Sequence, residues 1–100
     1  MGFRHVVMFR WNDAADDAGR AAVAAALATL PAQIPEILDY RFGPDAGLAE
    51  GNWHFTVVAD FADQAGYEAY RDHPAHLAVI AEHIRPLLAA RAAVQMVTTR

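Results

Sequence analysis

The sequence predicts an α+β fold in which a four-stranded antiparallel sheet carries helices on one face, and three observations predict it. Four segments have the composition or alternation of β-strands: residues 3–11, 37–43, 53–61 and 92–99. Three segments between them have helical patterns: residues 16–33, 63–71 and 74–86. No repeat or low-complexity linker divides the chain, so we expect a single domain over residues 1–100.

The first strand is apolar on both of its faces. Alternate residues from Phe3 to Trp11 lie on one face, while Val6 and Met8 lie at the centre of the other. The Ala-rich segment after it favours a helix that approaches a sheet closely. The inward side of this helix is marked at helical spacing by Val23, Leu27 and Leu30.

Turn-forming residues delimit this helix and the second strand. Asp13 or Asp16 can cap the start of the helix, and Pro31 and Pro35 close it. The second strand, residues 37–43, is followed by the longest loop of the chain, which is rich in Gly, Asp and Asn.

The third strand, residues 53–61, has the clearest alternation in the chain and is also apolar on both faces. Asp63 opens a short helix after it. Pro74 suits the first turn of the last helix, and Pro86 perturbs the end of that helix. The last strand is centred on Val94, Met96 and Val97.

The resulting order, β-α-β-β-α(α)-β, is the ferredoxin-like split βαβ arrangement. Helices cover one face of such a sheet, so the bare face of an isolated protomer should be polar. Here two strands are apolar on both faces, and 55% of all residues are apolar. A chain of this size is only marginally stable by itself. We therefore predict a homodimer through the open sheet face, a dimeric α/β barrel whose interface resembles a domain core cut in half.

Composition argues against several functions. The net charge is −4 and the eight Arg are scattered, whereas a nucleic-acid-binding protein needs a basic stripe. The chain has no Cys, no phosphate-binding Gly loop and no metal-site spacing, so we predict neither metal nor cofactor. Without a signal-peptide pattern or an apolar run of ~20 residues, we expect a cytoplasmic protein with no membrane or nucleic-acid partner.

The candidate chemistry centres on histidines and a tyrosine. His5 and His54 lie in strands predicted to be buried, where an imidazole needs a hydrogen-bonding partner. Tyr70 ends the second helix and His76 lies one turn into the third, so both can reach the space between sheet and helices into which the strand histidines project. The apolar wall of this predicted ligand pocket is formed by Val7, Phe9, Leu27 and Ile80.

This group fits acid/base chemistry, although structural interpretations stay open. A neutral imidazole can remove a proton α to a carbonyl, and a phenol can donate a hydrogen bond to the enolate oxygen that forms. We interpret His73, before Pro74, as a helix cap. The side chain of His76 could instead tie the helix start to a carbonyl, and His5 and His54 could be core residues whose hydrogen bonds are satisfied.

Four segments resemble the stress-responsive dimeric α/β-barrel (Dabb) family: Arg4 to Trp11, Leu30 to Pro35, Trp53 to Phe61, and Tyr70 to His76. The combination of a His in the first strand with an H-P-x-H element after a Tyr is the most specific part of the resemblance. The resemblance covers nearly the whole chain, and it implies a ferredoxin-like protomer and a homodimer with a shared barrel.

The same motif is similar to the polyketide cyclases of the olivetolic acid cyclase type, which close a linear poly-β-keto thioester by aldol chemistry without a cofactor. This similarity implies His76 and Tyr70 as catalytic residues, with His5 and His54 as pocket residues. The first helix departs from that type, which has aromatic residues in the pocket. The corresponding residues here are Val23, Ala24 and Leu27.

Three functions follow from the sequence and the resemblance. The first is binding of a small hydrophobic, carbonyl-bearing ligand, with cofactor-independent cyclase or isomerase chemistry. The second is a non-enzymatic, dimeric stress-response protein whose histidines serve the fold. The third is a haem-degrading or antibiotic-biosynthesis monooxygenase of the same fold, for which His76 is the only residue we can suggest.

Overall fold

The elements of the computed structural model, which describes residues 1–99, follow the predicted order. They are β1 (Gly2–Trp11), α1 (Asp17–Ala28), α2 (Leu30–Gln33), β2 (Asp39–Pro44), β3 (Phe55–Phe61), α3 (Gln64–Asp72), α4 (Pro74–Val79) and β4 (Leu88–Thr98). The four strands form one antiparallel sheet in the order β2-β3-β1-β4. The predicted β-α-β-β-α(α)-β architecture is confirmed.

Helix ends follow the local chemistry of the sequence. Asp16 caps α1, because its Oδ1 accepts a hydrogen bond from the Gly19 amide at 2.7 Å. Asp63 caps α3 in the same way. After α4 the chain makes a π-helical turn over Ile80–Ile84 and a 3-10 turn over Arg85–Leu87. Pro86 lacks an amide hydrogen and crowds the preceding turn, so the α-helix cannot continue to β4.

Three strand starts differ from the prediction by two or more residues. β4 begins at Leu88, four residues before the predicted start at residue 92, and it pairs with β1 as far as Trp11. β2 begins at Asp39 and β3 at Phe55, each two residues after its predicted start. Ala89 and Ala90 have weak strand preference by themselves, and pairing with β1 overrides it.

The core lies between the sheet and the helices. Alternation along β1 and β3 directs one set of side chains inward, and Val7 is opposite Val57 in the register. The largest fully buried side chains are Tyr70, Phe61, Leu27, Leu30, Ile34, Val23 and Val57. The helices therefore cover the face that the sequence pattern assigns to them.

The other face of the sheet is bare in the protomer and is apolar at its centre. Val6 lies between Val58 and Val94 in the register. Val94 is 63% exposed and Met96 is 49% exposed. Large exposed side chains on a regular sheet face leave apolar area uncovered, as the two-faced strand pattern predicts. Within residues 1–99, no helix has the length and apolar character that crossing a membrane requires.

Candidate functional site

A cavity of about 340 Å³ lies between the sheet and the α3–α4 region. Its lining includes every predicted site residue except His54: His5, Val7, Phe9, Leu27, Tyr70, His76 and Ile80. The strands contribute the floor, and the break between α3 and α4 brings Tyr70 and His76 to the same side. We call this space the histidine pocket.

The expectation that His54 shares this space is wrong. His54 precedes β3, and its Nδ1 accepts a hydrogen bond from the Trp11 amide at 2.9 Å. It lies in a bend just before the strand, and the lining of the histidine pocket does not include it. His54 instead lines a larger cleft of about 790 Å³ beside the start of α1.

His73 and His76 fix the junction between α3 and α4. His73 Nδ1 accepts a hydrogen bond from the Ala75 amide at 3.0 Å, which confirms the interpretation of His73 as a helix cap. His76 Nδ1 lies 3.0 Å from the carbonyl oxygen of Arg71. A carbonyl oxygen only accepts, so Nδ1 is the protonated nitrogen and Nε2 of the neutral ring is free to act as a base. Burial lowers the pKa of His76 and so favours this neutral form.

Tyr70 packs directly against His76. The two ring centroids are 4.1 Å apart, and Tyr70 is only 2% exposed. The Tyr70 hydroxyl lies 2.8 Å from the hydroxyl of Tyr40 on β2. Burial raises the pKa of Tyr70, and it raises the pKa of Tyr40 to about 12. Both phenols are therefore neutral donors at ordinary pH.

Tyr40 and Gln95 complete the polar arrangement, although the sequence analysis did not single them out. The Gln95 side-chain amide donates to His5 Nδ1 at 2.9 Å across the β1–β4 pair. Neutral His5 therefore carries its proton on Nε2. Burial is the main cause that lowers the pKa of His5 to about 4, so the ring is uncharged at neutral pH. Gln95 is opposite His5 in the β1–β4 register, so a correct strand pairing is the signal that could have identified it.

The outer nitrogens of the two pocket histidines are open to a ligand. Within residues 1–99, Nε2 of His5 and Nε2 of His76 have no hydrogen-bonding partner. The same part of the chain contains no buried polar side-chain atom that lacks one. Both Nε2 atoms are therefore reachable, one as a donor and the other as an acceptor.

Solved structures with this fold cover nearly the whole chain. A dimeric ferredoxin-like protein of unknown function from Thermobifida fusca is 50% identical, with a TM-score of 0.91, over 98% of this chain and 92% of that chain. A Dabb family protein with a ferredoxin-like fold from Mesorhizobium loti is 22% identical, with a TM-score of 0.81, over 99% of this chain and 98% of that chain.

A third similar structure is the hydroxynitrile lyase from Passiflora edulis. It is 16% identical, with a TM-score of 0.84, over 99% of this chain and 95% of that chain. The comparison with curated proteins gave no match. The model of the Stress responsive A/B Barrel Domain (Dabb) family matches residues 3–98. The chain therefore belongs to the stress-responsive A/B barrel (Dabb) family, with a ferredoxin-like fold.

Proposed function

We propose that the histidine pocket binds a small hydrophobic compound with a carbonyl group and catalyses cofactor-independent cyclase or isomerase chemistry on it. His76 is the base, Tyr70 is the hydrogen-bond donor to the developing oxyanion, and His5 orients the substrate. The apolar wall, which includes Val7 and Leu27, holds the hydrophobic part of the ligand and excludes water.

The observation that carries this proposal is the state of the His76 ring. Its Nδ1 is engaged by the Arg71 carbonyl at 3.0 Å, and its Nε2 is left without a partner within residues 1–99. A purely structural imidazole would need only the Nδ1 contact with the Arg71 carbonyl. It would have no use for an unprotonated Nε2 that is open to a ligand. Burial keeps the ring neutral, which is the form a general base requires.

The Tyr70–Tyr40 pair supports the second role. When Tyr40 donates its hydroxyl hydrogen to the Tyr70 oxygen, the Tyr70 hydrogen is free to point to a ligand. The donor is already held in place before the reaction, so stabilising an enolate oxygen needs little reorganisation. The high pKa of Tyr70 keeps its proton in place throughout.

The proposed reaction conserves atoms and charge. His76 Nε2 removes a proton from the carbon α to a carbonyl, and the enolate oxygen accepts a hydrogen bond from Tyr70. In a cyclisation, the α-carbon then attacks a second ketone carbon of the same molecule and a carbon–carbon bond closes the ring. The imidazolium returns its proton to the new alkoxide. In an isomerisation, the proton returns to a different carbon.

The fold itself is compatible with an active site, since the Passiflora edulis protein of this fold is a hydroxynitrile lyase. The likeness to that protein extends to the fold alone. The chemistry proposed for this chain rests on the contacts of His76, Tyr70 and His5.

Turnover of a panel of poly-β-keto thioesters by the wild type, His76→Asn and His76→Ala tests the catalytic role. Asn offers an amide hydrogen to the Arg71 carbonyl but has no basic nitrogen, so we expect kcat/KM to fall about 10²–10⁴-fold with little loss of stability. His83→Ala is the matched control, because His83 lines neither cavity. Equal rates for wild type and His76→Asn would remove the catalytic role. Saturable ligand binding without turnover would leave the non-enzymatic interpretation.

We also propose that this chain forms a homodimer through its bare sheet face. Val94, Met96 and Met8 present an apolar surface there, with Met8 at 40% exposure. The Arg4–Asp60 ion pair, with hydrogen bonds of 2.7 and 2.9 Å, lies on the same face and forms a charged border. The 50%-identical Thermobifida fusca protein is dimeric, which supports a second copy as the occupant of this face.

Light scattering tests the dimer. We expect twice the protomer mass for the wild type and the mass of one protomer for Val94→Lys, because a buried, unpaired ammonium is costly in an apolar interface. Leu48→Lys is the control, since Leu48 is 89% exposed on the long loop. A monomeric wild type at micromolar concentration would contradict the proposal.

A further inference from the structure

Positive charge is in excess around the histidine pocket, although the whole chain has a net charge of −4. Three arginines line the pocket, namely Arg71, Arg85 and Arg91, and Asp72 is the only carboxylate in the described part of its lining. Asp72 is already engaged, because Arg71 donates two hydrogen bonds to its carboxylate, at 2.9 and 3.0 Å. The other two guanidinium groups of the lining belong to Arg85 and Arg91.

Arg85 and Arg91 have no carboxylate partner in the part of the chain that the structure describes. Every other arginine that lines either cavity has one within 4 Å, whereas within residues 1–99 neither Arg85 nor Arg91 does. Both residues are exposed, so their charges face solvent at the edge of the pocket. A guanidinium group left free beside an apolar cavity is available to a ligand.

The strand register places Arg91 on the sheet face that carries the histidine pocket. Arg91 is opposite Phe9 on β1, and Gln95, four residues further along β4, is opposite His5. Arg91 and Gln95 therefore have the same parity and lie on the sheet face that carries the histidine pocket. The charge of Arg91 also lowers the pKa of both His5 and His76, so its field reaches the two imidazoles.

A guanidinium fork matches the geometry of a carboxylate, with two parallel N–H donors for two oxygens. We propose that Arg91 is a specificity-determining residue that binds the carboxylate of the ligand, so the pocket prefers a small hydrophobic carbonyl compound that is also a carboxylic acid. Arg85 adds a second positive charge at the same edge. The carbonyl part of this statement rests on the proposed function, whereas the preference for an anion is independent of turnover.

Calorimetric titration with 3-benzoylpropanoate and its methyl ester tests the preference. The two compounds share the aromatic ring and the ketone and differ in the negative charge. We expect the acid to bind the wild type about tenfold more tightly than the ester, which corresponds to one charge-assisted contact. This advantage should shrink as salt is raised, because the guanidinium is exposed.

Arg91→Gln should weaken binding of the acid about tenfold and leave the ester unchanged, and Arg91→Lys should restore part of the difference. Arg20→Gln is the matched control, since it makes the same charge change beside the larger cleft. Equal affinities of acid and ester for the wild type would overturn the inference, as would equal weakening of both by Arg91→Gln or failure of both to bind. The His76 turnover experiment decides the catalytic role separately.

Discussion

The two histidine-containing cavities described above differ in how their histidines are used. The larger cleft, about 790 Å³, contains His54, whose Nδ1 serves the Trp11 backbone. The histidine pocket is less than half that volume, yet it joins His5, Tyr70 and His76 in one group. Within residues 1–99, no three His, Asp or Glu side chains come together as a metal site in either place. The comparison teaches that convergence of polar atoms in an apolar wall, and not cavity size, marks the candidate site.

The apolar wall of the histidine pocket should contribute more to stability than the wall of the larger cleft. Leu27 is 2% exposed, so Leu27→Ala should lower the free energy of unfolding by about 2–5 kcal/mol. Ala21, on the cleft side of α1, is exposed, and Ala21→Ser should cost about 0.5 kcal/mol or less. Denaturant titration measures both, and a cost under about 1 kcal/mol for Leu27→Ala would mean that this wall is not part of the core.

Acid should weaken the protein through the histidine pocket. The His5 pKa is about 4 in the folded protein, against an ordinary value of 6.5, so the folded form resists protonation. The contribution of His5 to the free energy of unfolding is fully present above pH 6.5. It falls as the pH drops from 6.5 towards 4, because only the unfolded chain gains this proton, and it stops falling below pH 4. The loss is on the order of 3 kcal/mol at most, at 1.36 kcal/mol per pKa unit.

Thermal or denaturant unfolding at fixed protein concentration between pH 7 and pH 4 measures this loss. His5→Gln should flatten most of the curve, although His76, whose pKa burial also lowers, contributes in the same direction. His54→Gln in the larger cleft should retain the fall. An unchanged curve for His5→Gln would show that another group controls the acid sensitivity.

The smallest losses of unfolding free energy are expected when one hydrogen bond is removed from either cavity. Tyr40→Phe removes the hydroxyl that lies 2.8 Å from the Tyr70 hydroxyl. Because Tyr70 is only 2% exposed, its hydroxyl is left without a partner, and the free energy of unfolding should fall by about 1–2 kcal/mol. His54→Ala removes the acceptor of the Trp11 amide, which is only partly buried and can bind water, so about 1 kcal/mol or less is expected. Chemical denaturation of both variants measures the difference, and the reverse ranking would contradict the assignment of the tighter polar network to the histidine pocket.

Local patterns predicted much of this molecule. Alternation assigned the faces of β1 and β3, and Asp16, Asp63 and the His73–Pro74 pair defined helix starts through backbone chemistry that acts within three residues. Strand alternation and helical spacing predicted five apolar or aromatic positions of the pocket: Val7, Phe9, Leu27, Tyr70 and Ile80. Strand alternation and helical spacing involve residues that are near one another in the chain, so these positions can be predicted from the sequence pattern.

Long-range pairing supplied what the sequence alone did not. His54 was placed in the wrong cavity because β3 begins at Phe55, so His54 lies in the bend before the strand, where its Nδ1 accepts a hydrogen bond from the Trp11 amide. The Tyr40–Tyr70 contact joins residues 30 apart, and the Gln95–His5 contact joins residues 90 apart. Neither partner is marked by periodicity. Gln95 meets His5 through the register of β1 and β4, and Tyr40 meets Tyr70 through the packing of α3 beside β2.

The central position of β1 has a consequence for the order of folding. Its neighbours β3 and β4 lie far along the chain, so pairing must close loops of about half and nearly all of its length, and such topologies fold slowly. Gln95 and Arg91 arrive only with the final strand. Because Leu88 and Arg91 line the histidine pocket, its lining is incomplete until β4 pairs with β1, the pairing that closes the longest loop.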